Sequence, residues 1–307
     1  MDLARFLSAE LSAPAPAAIT ALVAVLADPS RDDAILYYGS TLRTGDLSGV
    51  LDFYRLTQRP HRRGMRGLLE RGLWPEVSYR EVLIEGRMLR AKIATLPMST
   101  FRRAARNQTL DTTIWARFVQ PAQLVWSADA RAAQATMDAV VGAVETASRY
   151  AAALGPAAGS AEAFWTALFR RTYAAEFRVE DGSRADQVMA AAKARYVAIL
   201  PLAWRSAGIV FAAHDGVLRP SRRGLPRWAL RRLLGKPLNL ARLAKAAFTF
   251  DGAARYAAWK IERHTGVAIP VTPFRERHPI LAAPEVFWRL RAAQAEARRA
   301  RLSRPNS

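Results

Sequence analysis

Residues Ile35 to Leu56, ILYYGSTLRTGDLSGVLDFYRL, constrain the fold more than any other stretch of the chain. An apolar run, Ile35 to Tyr38, stops at the pair Gly39-Ser40; a short turn-rich linker follows, and a second apolar run carries a single acid, Asp52. That order predicts a strand, a glycine turn that opens a helix, and a second strand presenting a carboxylate. Such a unit can hold a polyphosphate and a metal ion together. Gly39 has no Cβ, so its backbone can approach a phosphate closely, and Ser40 adds a hydroxyl beside the freed amides. Asp52 offers the hard oxygen that magnesium prefers. The competing reading is an ordinary hairpin, since Gly-Ser turns before strands are common.

Composition narrows the partners. The chain has 307 residues, 51% of them hydrophobic, which is enough for two domains and a sizeable core and excludes disorder throughout. Its 46 Lys and Arg against 26 Asp and Glu give a formal charge of +20, an excess that implies an anionic partner: nucleic acid, an acidic membrane surface or nucleotide phosphates. The absence of cysteine removes disulfides, thiolate nucleophiles and thiolate zinc sites. His61, His214, His264 and His278 are scattered without ligand spacing. No stretch approaches the ~20 apolar residues that span a bilayer. Ala17 to Ala27, stopped by Asp28-Pro29, reads as a first helix and not as a signal peptide. The expected location is cytoplasmic, with attachment to a membrane surface open.

Further along, Arg59 to Trp74 is basic and helix-like, and Val77 to Leu96 reads as two strands joined at Glu85-Gly86. In the second of these, alternation puts Arg90 and Lys92 on one face and Leu89, Ala91 and Ile93 on the other. If that strand lies beside the one bearing Asp52, Lys92 can meet phosphate oxygens as a point charge; otherwise the two cations are a solvated face. Met98 to Ala157 has helical spacing, interrupted at Pro121 and Gly155-Pro156. A helix over Ala161 to Ala175 carries the core-like stripe Phe164, Trp165, Leu168, Phe169 and Tyr173. Another runs from Arg184 to Leu200, before Pro201, and a last one starts at Pro284-Glu285.

Between Gly216 and Phe250 there is no acid, and arginines alternate with leucines. Arg222, Arg223, Arg227, Trp228, Arg231 and Arg232 suit the interface of an anionic membrane, at roughly 1 kcal/mol per basic residue near the surface. Leucine-rich spacing with one tryptophan fits lipid better than base stacking, so no nucleic acid is expected. The alternative is a helical hairpin that packs its leucines inward and leaves its arginines in water.

The pieces stand in an order that resembles the mitochondrial-type phosphatidate cytidylyltransferase family, the peripheral CDP-diacylglycerol synthases. The likeness rests on Tyr38-Gly39-Ser40, on Leu51-Asp52-Phe53, on Gly86-Arg87 leading to Lys92, and on Arg117 with Pro121. Its most specific element is Thr172-Tyr173-Ala174-Ala175-Glu176-Phe177-Arg178, and it covers roughly residues 34–200. Thr41 stands where a second glycine is usual, Glu176 replaces an aspartate, and Gln120 replaces a lysine. The resemblance implies an α+β chain: a nucleotidyltransferase-fold domain over 1–108, a helical, winged-helix-like domain over 109–203, and a basic, mostly helical, membrane-associating region over 204–307. It also implies Mg2+-dependent transfer of CMP from CTP to phosphatidate at the inner membrane surface. Asp52 and Glu176 would hold Mg2+, with Asp46 the alternative second ligand. Gly39 and Ser40 would hold the β and γ phosphates, and Lys92 the α-phosphate. Arg178 would either bind the lipid phosphate or pair with Glu176. Two rival classes are a nucleotidyltransferase with another acceptor and a non-enzymatic basic protein that binds nucleic acid or membrane.

Overall fold

The computed structural model describes residues 1–58, 72–175, 183–221, 224, 228–278, 281–282, 284–286, 288 and 291. Most of the basic helix expected at 59–74 and of the last helix from 284 lies outside them, as do Glu176, Arg178, Arg222, Arg223 and Arg227.

Two helices open the chain, α1 (Leu3–Leu11) and α2 (Ala17–Leu26). Then come β1 (Asp32–Tyr38), α3 (Ser40–Thr44) and β2 (Val50–Thr57), in the strand, turn, helix and strand order expected of this stretch. β3 (Glu76–Ile84) and β4 (Arg87–Pro97) form a hairpin that turns on Glu85 and Gly86, both at positive φ, 48° and 77°. α4 (Met98–Ala105) and α5 (Thr113–Phe118) follow. Next is a strand that helical spacing did not announce, β5 (Ala122–Ser127). It starts directly after Pro121 and pairs antiparallel with β1, satisfying a row of β1 backbone groups that would otherwise be an open edge.

The helical body comprises α6 (Ala130–Leu154), α7 (Ala161–Ala175), α8 (Ser183–Ala191) and α9 (Lys193–Ser206). The single helix expected over 184–200 is two, broken at Ala192 (φ −148°, ψ 38°), and α9 continues through Pro201. Pro201 removes one ladder hydrogen bond, but Ala203 and Trp204 beyond it are fully buried, and that burial outweighs the loss. The hairpin β6 (Phe211–His214) and β7 (Val217–Pro220) rests on this body through Gly159 and Leu218, whose backbones exchange hydrogen bonds of 2.8 and 3.1 Å. Three further helices follow, α10 (Trp228–Thr249), α11 (Ala253–Thr265) and α12 (Pro273–Arg277), and the described residues beyond them, 281–282, 284–286, 288 and 291, are helical too.

The architecture is α+β. Its main sheet has the order β3-β4-β2-β1-β5, with β2 and β4 parallel and the other pairs antiparallel. One face is covered by α2, whose Ile19, Leu22 and Val23 meet Tyr37, Leu51, Phe53, Ala91 and Ile93. The other face packs Leu36, Tyr38, Tyr54 and Leu56 against Phe101, Trp115 and Phe118, and this core runs on through Phe164, Trp165, Tyr196 and Trp204. β5 completes the sheet from beyond residue 108, so sheet and helical body share one continuous core.

The C-terminal helices are built into that body. Arg231 is buried; its guanidinium donates to the Tyr150 hydroxyl and to the carbonyls of Leu110, Asn107 and Thr109. Trp228 packs on the Tyr150 ring, with centroids 5.5 Å apart. Arg231 is therefore withdrawn from any membrane surface, contrary to the sequence expectation, and Trp228 is half-buried. A cation with four acceptors around it is worth more inside than at a surface. Arg242 stacks on Trp74, 4.4 Å from the ring centre, and pairs with Asp111, while Lys245 donates to the Leu73 carbonyl at 2.9 Å. Arg232 remains exposed, Leu234 and Leu238 are half-buried, and Leu230, Leu233, Leu240, Leu243 and Phe248 face solvent. Among the described residues no helix is long and apolar enough to cross a membrane.

α11 is stitched to the edge strand β3. The Tyr79 N–H donates to the Asp251 carbonyl at 2.8 Å, and Arg80 pairs with the Asp251 carboxylate at 2.6 Å. Gly252 caps α11 at φ +83°, and a Cβ there would stand 2.6 Å from the Tyr79 carbonyl oxygen, so only glycine fits both the conformation and the contact.

Candidate functional site

Register assembles the site. Tyr38 of β1 is the cross-strand partner of Asp52 of β2; Asp52 is the partner of Lys92 of β4; Lys92 is the partner of Tyr79 of β3. Paired residues in a sheet share a face, so Tyr38, Asp52, Lys92 and Tyr79 form one row across four strands. They lie on the face that the helical body covers, at the rim where that cover ends. Lys92 and Asp52 are both half-buried, whereas Leu51, Phe53, Ala91 and Ile93 point into the opposite core.

β1 delivers Gly39 and Ser40 beside this row. Gly39 has φ +98° and ψ −163°, and a Cβ on it would stand 2.8 Å from Asp52 Oδ2. The Asp52 carboxylate therefore sits directly against a backbone left bare by glycine. A cleft of roughly 630 Å3, its open mouth included, extends from here. Gly39, Ser40, Arg43 and Asp52 line one wall, and Ala116, Arg117, Gln120, Phe169, Thr172 and Tyr173 the other. Arg43 donates to Gln120 Oε1 at 3.4 Å, and the Arg117 guanidinium lies 5.0 Å from the Tyr38 ring centre. Burial holds the Tyr38 phenol well above its ordinary range; Arg117 pulls it down and Asp52 pushes it further up. Two cations, Arg43 and Arg117, and the Asp52 carboxylate thus line one polar cleft.

Of the residues singled out from sequence, the structure brings together Gly39, Ser40, Asp52 and Lys92. Lys92 stands beyond Asp52 on the side away from the cleft. Asp46 does not join them: it lies in the exposed turn before β2, its carboxylate accepting from the Ser48 N–H at 2.8 Å and the Ser48 hydroxyl at 2.9 Å. Those hydrogen bonds to Ser48 lower its pKa. Among the described residues, no group of three or more His, Asp or Glu side chains gathers to hold a metal. One carboxylate held against a glycine backbone still fits Mg2+, which is commonly bound by one or two carboxylates together with substrate phosphates.

Sequence reasoning passed over Arg43 and gave Arg117 and Tyr173 no role. Arg43 was within reach: it is the only cation of α3, one helical turn after Ser40. Tyr173 looked like the last ring of a core stripe, yet it is only half-buried and lines the cleft, while Phe164, Trp165, Leu168 and Phe169 are fully buried. Tyr256 of α11 also reaches the row. Its ring lies 5.5 Å from that of Tyr79 and 6.0 Å from Lys92 Nζ. Burial and then the Asp52 charge raise its phenol pKa. No local pattern announced a contact across more than 160 positions, from Lys92 to Tyr256.

Fold and site define an α+β protein with a mixed five-stranded sheet, an acid and a lysine on adjacent parallel strands, and a glycine turn beside them. Comparison with protein-family models gives no match, and neither does comparison with curated proteins.

Proposed function

We propose that this chain is a Mg2+-dependent nucleotidyltransferase with a winged-helix-like helical body, which transfers CMP from CTP to phosphatidate at the surface of an anionic membrane and releases pyrophosphate. The observation that carries the reading is the row Tyr38, Asp52, Lys92 with Gly39 pressed on the carboxylate. In nucleotidyl transfer a protein mainly positions the polyphosphate and neutralises its charge. Gly39 and Ser40 hold the β and γ phosphates, with Arg43 and Arg117 as the cations nearest to them. Lys92 meets the α-phosphate from the other side of Asp52. Asp52 holds Mg2+, with Glu176 as the second ligand that the family resemblance supplies; when bound, the ion neutralises charge on the phosphates. CTP and phosphatidate themselves come from that resemblance.

The exposed face of α10 supports a peripheral membrane site. Leu233 is 71% and Phe248 81% exposed, and Arg232 and Lys236 stand among the leucines. Apolar side chains flanked by cations suit shallow burial in an anionic leaflet.

A radiolabelled CTP assay with phosphatidate vesicles tests the reading. Lipid-dependent pyrophosphate release that vanishes in Asp52→Asn, while the melting temperature holds, is the expected result. Equal turnover with ATP or with soluble acceptors would move the protein to a different nucleotidyl transfer. Folded protein that binds no nucleotide in Mg2+ would overturn the enzymatic reading.

A further inference from the structure

One face of α11 carries Tyr256, Trp259, Lys260 and Arg263, spaced i, i+3, i+4 and i+7, and this face lies over the open end of β3 and β4. Two ammonium groups lie over the Tyr256 ring: Lys92 Nζ at 6.0 Å and Lys260 Nζ at 5.9 Å from its centre. Two guanidiniums lie over the Trp259 ring, Arg90 at 5.6 Å and Arg263 at 5.2 Å from its centre. Four cations, two from the sheet and two from the helix, thus gather on a shelf beside Asp52. The acids that face them are few. Glu81 pairs with Arg90 at 3.4 Å, Asp52 stands next to Lys92 across the strand pair and its charge reaches Tyr256, and Asp46, held by Ser48, feels Arg263 only at longer range. Among the described residues no carboxylate lies within ion-pairing distance of Lys92, Lys260 or Arg263. Gathering like charges costs energy that an arriving anion would return.

The position of the shelf says which anion. In phosphoryl and nucleotidyl transfer the attacking and leaving oxygens stand roughly in line on opposite sides of the phosphorus. With the β and γ phosphates at Gly39 and Ser40, the leaving side is the β1 side of Asp52. The attacking side is then the β4 and β3 side, where α11 stands.

We infer that the α11 shelf, Tyr256, Lys260 and Arg263 with Lys92 and Arg90, is the binding site for the phosphate monoester acceptor. This rests on the nucleotidyltransferase reading above and adds to it the place of the second substrate. A non-bridging oxygen of the acceptor phosphate forms the new bond to the α-phosphorus. The bond from the α-phosphorus to the bridging oxygen breaks, and its electron pair leaves with pyrophosphate. The attacking oxygen is already deprotonated at neutral pH, so no proton has to move.

The full-length chain and its Lys260→Ala/Arg263→Ala variant test this. Both positions are exposed, so the fold should survive, and a thermal melt checks it. Michaelis constants are measured separately for CTP and for two acceptors, dihexanoyl phosphatidate, which stays monomeric, and glycerol 3-phosphate. The variant should raise the acceptor constant by about tenfold or more, the usual order for lost charge-assisted hydrogen bonds, and leave the CTP constant unchanged. Lys260→Arg/Arg263→Lys should restore most of it. An effect confined to dihexanoyl phosphatidate marks a lipid headgroup as the occupant; an effect on both acceptors marks the phosphate alone. If the CTP constant rises instead, or neither moves, the shelf is not the acceptor site. If wild-type protein turns over neither acceptor, the nucleotidyltransferase reading itself has failed, an outcome distinct from an active variant with unchanged constants.

Discussion

Replacing Gly39 by alanine probes the one contact on which the site is built. The residue sits at φ +98° and ψ −163°, a region that essentially glycine alone populates; forcing an alanine there costs about 1–3 kcal/mol. The added methyl would also stand 2.8 Å from Asp52 Oδ2, whereas ordinary contact begins at 3.4 Å, so turn and carboxylate must separate by the difference, 3.4 − 2.8 = 0.6 Å. A misplacement of about 1 Å at a reacting centre costs on the order of 10²-fold in rate. A shift of more than half that size should lower pyrophosphate release at least about tenfold. At about 2–4 °C per kcal/mol, the melting temperature should fall by several degrees. Gly45→Ala is the matching control. Gly45 is also left-handed, at φ +70°, but a Cβ there meets nothing within 4 Å. It should cost about 1–2 kcal/mol of stability and keep its turnover. Thermal melts and pyrophosphate release on both variants decide the matter. If Gly39→Ala turns over normally, or if Gly45→Ala loses as much activity as Gly39→Ala, the carboxylate contact is not what positions the site.

Arg231→Met should remove about 3 kcal/mol or more by stranding three backbone carbonyls and the Tyr150 hydroxyl. A melt should show a loss near 10 °C, with no change in vesicle sedimentation of the protein that stays folded. Leu233→Ser/Leu240→Ser, on the outward face of α10, should do the reverse: sedimentation with anionic vesicles falls, and the melt moves by no more than about 0.5 kcal/mol per site. Asp32 is buried, and desolvation raises its pKa above the ordinary 3.8 despite the Asp28 N–H and Arg55. An acid with a raised folded pKa is bound to its proton more tightly in the folded state, so its stability contribution is present below 3.8 and is lost as pH rises through the folded value. Denaturant melts of wild type and Asp32→Asn should therefore diverge in favour of the variant as pH rises from 3 to 7, and a difference that does not change with pH would refute the assignment.

What could be read from the sequence follows the range of the interactions. β1, α3 and β2 were legible because an apolar run, Gly39-Ser40 and a second apolar run are local signals, and the β3–β4 turn was legible at Glu85-Gly86 for the same reason. Pairing of β4 with β2 was only a condition until the register placed Lys92 opposite Asp52. β5 was lost because six residues flanked by helices carry little periodicity, and only Pro121 hinted at a break. The break at Ala192 and the continuation through Pro201 depend on which residues the helical body buries, and no window of sequence contains that. Arg231 shows the same limit in reverse: a basic, leucine-rich helix has two ways to face, and its charge pattern cannot choose. Acceptors from four positions, Asn107, Thr109, Leu110 and Tyr150, turned the arginine inward, and Leu230, Leu233, Leu240 and Leu243 are left outward.

That inversion changes how the C-terminal region can be studied. Deleting the segment from Arg219 to Lys245 would take Arg231 out of its acceptors, Arg242 off Trp74 and away from Asp111, and Lys245 off the Leu73 carbonyl. It would also remove most of α10, which leads the chain into the Asp251 and Gly252 contacts with Tyr79 and Arg80 of the edge strand. Burial already pulls the Arg242 pKa down to about 10, so that guanidinium is held against a desolvation penalty and its packing partners must stay in place. Loss of vesicle binding in such a deletion would report collapse of the site as readily as loss of a docking surface. Point changes on the outward leucines leave every one of these contacts intact, and changes at Lys260 and Arg263 touch the shelf without touching the helix that carries the leucines. The two functions proposed for the region, holding a membrane and presenting a phosphate, are thereby separable by changes on two different helices.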